Sequence, residues 1–377
     1  MTQFLIENKE FYLHEDYKNL TEYEVKSCPF PYTVKIDNTQ NILEQIQQRL
    51  DKNPNNVLVV DKNIKELYFK NLNIDASRIF TVEANEEFKT LTNGVLKLID
   101  FLADRSFTKK EELIAVGGGI TEDIAAFVGA CYKRGIKWIF YPTTLLSMCD
   151  SCIGGKTGIN YHNAKNQVAL FSAPREVHIN INFLKTLSDF DIVSGMGEIL
   201  KLLVTGGDEP LNIYKNCVIN GKVKDFEKYK DLILTSLAVK RAVIEEDEFE
   251  KYFRKSLNYG HTLGHAIEVL SEYKIPHGQA VIIGMLIVNK ISFDREILNK
   301  NDYIEIKNLS NELLNNIDLS NFSFDGLEKL LKNDKKTEGN EVNFVIISKT
   351  GDTKFLKLPL NNELLEEIKR DMETELG

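Results

Sequence analysis

Leu113-Ile114-Ala115-Val116-Gly117-Gly118-Gly119 is a short apolar run closed by three glycines, and helical apolar spacing follows from about Asp123. A strand, a turn without Cβ atoms and a helix start, in that order, let a dinucleotide pyrophosphate approach the backbone closely. The spacing is not Gly-x-Gly-x-x-Gly, so the standard fingerprint is absent, and a glycine triplet after a strand also serves as a plain tight turn. Gly117, Gly118 and Gly119 are therefore a nucleotide-site candidate whose weight depends on their surroundings.

Outward from this turn, β-branched runs alternate with amphipathic stretches. Strands are expected at Thr33 to Ile36, Val57 to Val60, Ile79 to Val82, Leu113 to Val116 and Trp138 to Tyr141, and helices at Ile42 to Leu50, Ile64 to Phe69, Phe88 to Leu102 and Asp123 to Tyr132. Such alternation is the pattern of parallel strands joined by crossover helices. After Phe183 helical patterns dominate: Val193 to Leu203, Tyr229 to Glu246, Leu257 to Leu270, Ala280 to Asp294 and Phe324 to Leu331. Val342 to Ile347, a Gly351-Asp352 turn and Phe355 to Leu358 read as a small hairpin. The expected fold class is α/β: a Rossmann-like, doubly wound parallel sheet over residues 1–182, then a mostly α-helical domain over 183–377. The first 30 residues are polar with scattered aromatics and carry no clear placement.

At 377 residues and 43% hydrophobic content, the chain can bury two cores. Its net charge of -9 disfavours nucleic acid or an anionic membrane as a partner, because those need a broad basic surface. Five cysteines (Cys28, Cys131, Cys149, Cys152, Cys217) form no regular framework, no cationic-then-apolar leader opens the sequence, and no apolar run is long enough to span a bilayer. A cytoplasmic location is the expectation.

Three of only six histidines fall within seventeen residues: His261 and His265, four apart on an expected helix, and His277, which opens a Pro276-His277-Gly278 turn. Residues four apart share a helix face, and imidazoles with a carboxylate make an open Zn²⁺ site. A lone helix histidine is commonly just packed or solvated; clustering favours the metal, without saying which pair binds it. Lys156, Lys165, Lys201, Lys240 and Arg254 stand beside glycine-rich turns, polar residues or Glu198, company that suits a phosphate or carboxylate better than a plain solvated face. Cys149-Asp150-Ser151-Cys152 has the Cys-x-x-Cys form, but no second pair completes a Cys₄ site, and a redox reading is rejected.

The ordered blocks resemble the 3-dehydroquinate synthase family over roughly Val57 to Ile347. They are Gly117-Gly118-Gly119-Ile120-Thr121-Glu122-Asp123, Tyr132-Lys133-Arg134-Gly135, Pro142-Thr143-Thr144-Leu145-Leu146, Asp150-Ser151-Cys152-Ile153-Gly154-Gly155-Lys156-Thr157-Gly158 and Lys165-Asn166. Gly197-Glu198-Ile199-Leu200-Lys201, Asn258-Tyr259-Gly260-His261-Thr262-Leu263-Gly264-His265-Ala266-Ile267-Glu268 and His277-Gly278-Gln279-Ala280-Val281 continue the series.

The resemblance implies that Glu198, His261 and His277 hold a divalent metal, Zn²⁺ or Co²⁺, and that NAD lies along the glycine turn with Asp61, Lys89, Asp123, Thr143, Thr144, Lys165, Phe183 and Thr186 as contacts. It implies a sugar phosphate substrate met by Asp150, Lys156, Asn166, Lys201, Lys240, Arg254, Asn258 and His265, with Lys335 or Lys336, and it gives proton handling to Glu250 and His265. Arg134 matches an arginine that reaches the neighbouring subunit's phosphate site, which implies a homodimer. The implied reaction is a transient oxidation, phosphate elimination, re-reduction and intramolecular aldol closure. Thr121-Glu122 and Ala169-Leu170 depart from the common pattern in the direction of cyclases that make 2-epi-5-epi-valiolone or 2-deoxy-scyllo-inosose. A metal-dependent polyol or glycerol dehydrogenase is the rival from another class, but a neutral polyol has no use for so many cationic side chains. A catalytically silent paralogue would have lost metal ligands that this chain keeps.

Overall fold

The structure is a computed structural model that describes residues 2–376 except 38, 40, 163, 315, 316, 318–321, 334–336 and 339. The chain divides into two compact units, Asn19–Leu187 and Met1–Lys18 with Ser188–Gly377. In chain order, β1 (Gln3–Ile6) and β2 (Lys9–Tyr12) are followed by β3 (Glu22–Val25), β4 (Tyr32–Ile36), α1 (Ile42–Asp51), β5 (Val57–Asp61), α2 (Lys62–Tyr68), β6 (Ile79–Val82) and α3 (Leu96–Asp104). Then come β7 (Glu112–Gly117), α4 (Gly119–Cys131), β8 (Lys137–Pro142), β9 (Lys156–Tyr161), β10 (Ala164–Phe171) and β11 (Glu176–Ile179). The remainder holds α5 (Asp189–Thr205), α6 (Asp208–Cys217), β12 (Val218–Ile219), β13 (Lys222–Val223), α7 (Lys228–Ile244), α8 (His261–Leu270), α9 (His277–Asp294), α10 (Lys300–Leu314), α11 (Leu327–Asn333), β14 (Thr337–Glu338), β15 (Glu341–Lys349), β16 (Asp352–Pro359) and α12 (Asn362–Leu376).

The first unit carries a seven-stranded sheet in the order β3-β4-β11-β8-β7-β5-β6. All its pairs are parallel except the edge pair of β3 with β4. Val57 to Val60 and Leu113 to Val116 are fully buried, which explains their unbroken apolar runs: a parallel strand covered on both faces has no polar side to alternate. From β5 the chain steps to β6 on one side and then to β7 on the other, so strand order reverses between β5 and β7. In doubly wound sheets the ligand crevice lies at the carboxyl ends flanking such a reversal. Val60 pairs with Val116, so Asp61 and Gly117 end their strands side by side there.

The strand positions match the sequence reading closely, and the differences have local causes. Helix α2 begins early because the Asp61 carboxylate accepts the Asn63 and Ile64 N–H groups. The helix expected over Phe88 to Leu102 starts later: Thr90 caps the Asn93 N–H, and a wide turn over Leu91–Val95 precedes α3. Helix α4 opens at Gly119, so the third glycine of the triplet is already helical. Strand β11 carries no unbroken apolar run because it holds Glu176 and His178, polar residues tolerated there because Arg49 binds both and Lys35 also pairs with Glu176.

In the second unit, β1 runs parallel to β16 and antiparallel to β2, giving a five-stranded sheet in the order β14-β15-β16-β1-β2. The expected small hairpin supplies β15 and β16 of that sheet. The opening eighteen residues therefore belong with the helical unit, and the sheet unit ends at Leu187, whereas the sequence reading placed 1–182 together. The single helix expected over Leu257 to Leu270 does not form. Phe253–Asn258 is a short 3₁₀ turn, Gly260 takes a left-handed conformation with φ of 76°, and α8 begins afresh at His261. Only glycine fits that bend, since a Cβ on Gly260 would stand 2.5 Å from the Val281 carbonyl oxygen.

Candidate active site

Glu198 lies on α5, His261 opens α8 and His277 opens α9, so His277 is a helix residue and not part of a turn. The crossing of α5 and α9 depends on absent side chains: a Cβ on Gly278 would sit 1.9 Å from the Ser194 carbonyl oxygen, and one on Gly197 2.3 Å from that of Gly278. That close approach brings Glu198 Oε1 to 3.0 Å from His277 Nε2 and 3.4 Å from His261 Nε2. Two ligand atoms on one tetrahedral Zn²⁺ at about 2.1 Å stand roughly 3.4 Å apart. The three residues thus already have the spacing of a divalent cation's donors, and all come from the helical unit.

The surroundings fit that reading. Neither buried Glu198 oxygen completes a well-aligned hydrogen bond, although Lys201 Nζ pairs with Oε2. Burial would raise the Glu198 carboxyl, but Lys201 and His261 beside it hold it well below the usual carboxylate range. Burial lowers His261, whose Nδ1 faces the Tyr259 carbonyl at 3.2 Å, leaving Nε2 toward Glu198. At His277, Nδ1 lies 2.9 Å from Glu268 Oε2. Burial alone would lower His277 too, yet the Glu268 and Glu198 carboxylates push it up to about 10. A second group, His265, Glu268 and His277, also has donor atoms within 4.8 Å of one another. It is the weaker set, because Glu268 already occupies His277 Nδ1 and His265 is exposed. In the sequence Glu268 is the last residue of the Asn258 to Glu268 block, and its position one turn beyond His265 was the available signal.

Near this cluster in the chain, Lys201 and Arg254 are each 2% exposed, and Lys240, on α7, is buried as well. Arg254 and Asn258 sit in the 3₁₀ turn, not on the helix that carries His265. Asp247 organises their segment. Its carboxylate accepts the N–H groups of Lys251, Tyr252 and Arg254 at 2.9, 2.8 and 3.0 Å. Burial opposes ionisation of Asp247, but these donors hold it below its ordinary value. Arg254 Nη1 donates to the Glu248 carbonyl, and Asn258 Nδ2 donates to Glu250 Oε1 at 3.0 Å. Asp247 carried no signal in the sequence beyond being one acidic residue among several.

In the sheet unit, Lys89 is buried and donates to Asp123 Oδ2 at 2.9 Å and Asn166 Oδ1 at 3.0 Å. Asp123 Oδ1 accepts the Gly158 N–H at 3.0 Å, which ties α4 to the β9–β10 hairpin. Burial raises the Asp123 carboxyl, opposed by the Lys89 ammonium. Thr143 N–H donates to the Gly117 carbonyl, and Thr144 meets Ser147 at 2.8 Å between hydroxyl oxygens. Lys165 pairs with Glu86 at 3.2 Å, and Thr186 with the Tyr68 hydroxyl at 2.6 Å, where Phe183 packs edge-on to Tyr68. Asp150 lies in the turn over Ser147–Ser151 and Lys156 opens β9. Arg134 is exposed with φ of 61°. Cys149 and Cys152 are buried, and Lys335 and Lys336 lie outside the described residues.

Fold and donor set define a class: a doubly wound sheet unit with a glycine turn at its reversal point, in one chain with a helical unit bearing a Glu/His cluster that could hold a metal ion. Within it, the family model for the 3-dehydroquinate synthase N-terminal region matches residues 79–194, and that for the C-terminal region matches residues 195–337. The chain belongs to the 3-dehydroquinate synthase family. It is 34% identical over 332 residues to a 3-dehydroquinate synthase of Streptococcus pneumoniae (strain JJA), covering 85% of this chain and 92% of that protein. Among solved structures, a 2-deoxy-scyllo-inosose synthase complexed with carbaglucose-6-phosphate, NAD+ and Co2+ superposes with a TM-score of 0.80 at 22% identity, covering 94% of this chain and 100% of that one. The 2-epi-5-epi-valiolone synthase ValA from Streptomyces hygroscopicus subsp. jinggangensis 5008, with NAD+ and Zn2+ bound, gives 0.76 at 21% identity, covering 94% and 99%. At that identity the last two speak for the fold alone. No helix among the described residues is long and apolar enough to cross a membrane.

Proposed function

We propose that the chain is a 3-dehydroquinate synthase, a phosphorus–oxygen lyase that converts 3-deoxy-D-arabino-heptulosonate 7-phosphate to 3-dehydroquinate and phosphate. The observation that carries this reading is the Glu198–His261–His277 donor set beside buried Lys201, in a chain of this family. Glu198, His261 and His277 hold the divalent cation. NAD is held along Gly117, Gly118 and Gly119, with Asp61, Lys89, Asp123, Thr143, Thr144, Lys165, Phe183 and Thr186 around it. When bound, the cation supplies Lewis acidity at a substrate hydroxyl and the dinucleotide supplies reversible hydride acceptance, so no net oxidation occurs.

The chain's own groups do the rest. Lys201 and Lys240 are cations fixed in a dry environment, where they stabilise the phosphate's charge without reorganising. Asp150, Lys156, Asn166 and one of Lys335 or Lys336 complete the substrate contacts, and Arg254 takes its carboxylate. Glu250, oriented by Asn258, and His265 move protons. The functional assembly is a cytoplasmic homodimer in which Arg134 serves the partner subunit's phosphate site. Glu268 fixes the His277 tautomer so that Nε2 faces the cation, as carboxylates commonly do for metal-bound imidazoles.

Two experiments bear on this reading. With catalytic NAD⁺ and the carboxylated heptulosonate phosphate, phosphate accumulates over many turnovers while absorbance at the NADH band stays flat. Stoichiometric NADH would favour a dehydrogenase instead. Glu268→Gln weakens metal affinity about 10- to 100-fold in competition against a chromophoric chelator. Wild-type affinity in that variant would reduce Glu268 to a packing residue.

A further inference from the structure

We propose that the β1–β2 hairpin is a positioning element for the segment Asp247–Asn258, and through it for Glu250 and Arg254; this rests on the assignment of those two residues to the reaction. The segment needs outside support. Glu250 has φ of 55°, a left-handed conformation that a residue with a side chain holds only where its surroundings over-determine it. Asp247 fixes the segment from within by its three backbone contacts.

The hairpin grips it from outside, on both sides of Glu250. On the N-terminal side, Lys9 Nζ pairs with Glu246 and His14 Nε2 lies 3.3 Å from Glu245. On the C-terminal side, the Phe11 ring meets Phe253 edge-on with centroids 5.5 Å apart, and Lys9 Nζ stands 4.6 Å over the Phe253 ring. Lys9 therefore touches both shoulders at once. Phe11 is backed by Phe4 at 5.5 Å, and Glu7 Oε1 accepts the Phe355 N–H at 2.6 Å, with Tyr252 packed against Phe355 at 5.8 Å. The gripping residues, Lys9 and Phe11, share one face of β2 because strand side chains alternate. Glu10 and Tyr12, on the other face, are exposed.

The alternation supplies the test. The full-length double variant Lys9→Ala, Phe11→Ala is compared with Glu10→Ala, Tyr12→Ala, which alters the same strand on its opposite face. Lys9→Ala alone, at a part-exposed position, covers the case in which removal of the Phe11 ring unfolds the unit. Hydrogen exchange is followed without substrate, and steady-state kinetics with it. In the Lys9 variants, amides of residues 247–256 exchange roughly tenfold faster while α9 and bound-metal content stay at wild-type levels. KM for the sugar phosphate rises roughly tenfold through Arg254, and kcat falls with it through Glu250, the proton-handling group. Lys9→Arg with Phe11→Tyr restores both. Unchanged exchange in the 247–256 amides overturns the proposal, as do equal effects from the Glu10, Tyr12 control or a uniform rise across the whole helical unit. Because exchange is read without substrate, faster exchange in a protein that turns over no sugar phosphate would defeat the proposed function and leave the hairpin's hold on the segment standing.

Discussion

His261→Ala protein is expected to retain under about a tenth of the metal bound by wild type at equal free concentration, and to lose at least about a thousandfold in activity. The expectation follows from a site of three protein donors, which has no spare when one is removed. Losing His261 also leaves Glu198 buried beside Lys201 with only His277 on its other flank, an arrangement in which the Lys201 ammonium competes for the carboxylate. His265→Ala is the matched comparison, since its ring centroid lies only 5.3 Å from that of His261 and it belongs to the alternative donor group. Metal content near wild type in His265→Ala, with near-complete loss in His261→Ala, singles out the Glu198 set. The reverse pattern, measured by elemental analysis of the purified proteins, would move the cation to His265, Glu268 and His277.

The sheet unit was readable because its determinants are local. Val57 to Val60 and Leu113 to Val116 are buried on both faces, and such strands declare themselves as continuous β-branched runs. Asp61 and the glycine triplet follow them directly, so a candidate nucleotide turn could be picked out without knowing strand order. The Glu198, His261 and His277 cluster was readable in part. Histidine clustering pointed to it, but which side chains converge depends on α5 and α9 crossing at Gly197 and Gly278, a tertiary contact that leaves no local pattern. The single helix expected over Leu257 to Leu270 fails for a similar reason: its apolar spacing continues across Gly260, and the left-handed turn there is fixed by contact with α9. Asp247 works through backbone N–H groups, and the β1–β2 hairpin meets Glu246 and Phe253 from far off in sequence, so neither periodicity nor motif spacing could mark them. The opening strands looked unplaceable because each is only four residues long, and the parallel partner of β1, β16, lies at the far end of the chain.

Arg254→Ala should cost about 2 to 5 kcal/mol of transition-state binding toward the carboxylated substrate, or about 30- to 4,000-fold in kcat/KM. Arg254 is 2% exposed, its backbone is pinned by Asp247, and its Nη1 donates to the Glu248 carbonyl, so the guanidinium's direction is set before any ligand arrives. A pre-set guanidinium grips a carboxylate through two parallel hydrogen bonds, which a lysine cannot reproduce. Arg254→Lys should therefore recover little of the loss. Among substrates of related cyclases, 3-deoxy-D-arabino-heptulosonate 7-phosphate carries a carboxylate, while sedoheptulose 7-phosphate and glucose 6-phosphate carry none. The wild-type chain should prefer the first, and Arg254→Ala should lose most of that preference while its turnover of the neutral sugars, if any, changes little. Competition assays that follow product mass for each sugar decide the matter. Faster cyclisation of sedoheptulose 7-phosphate by the wild type, or an unaltered preference in Arg254→Ala, would assign the buried guanidinium to the fold and shift the substrate to a sugar without a carboxylate.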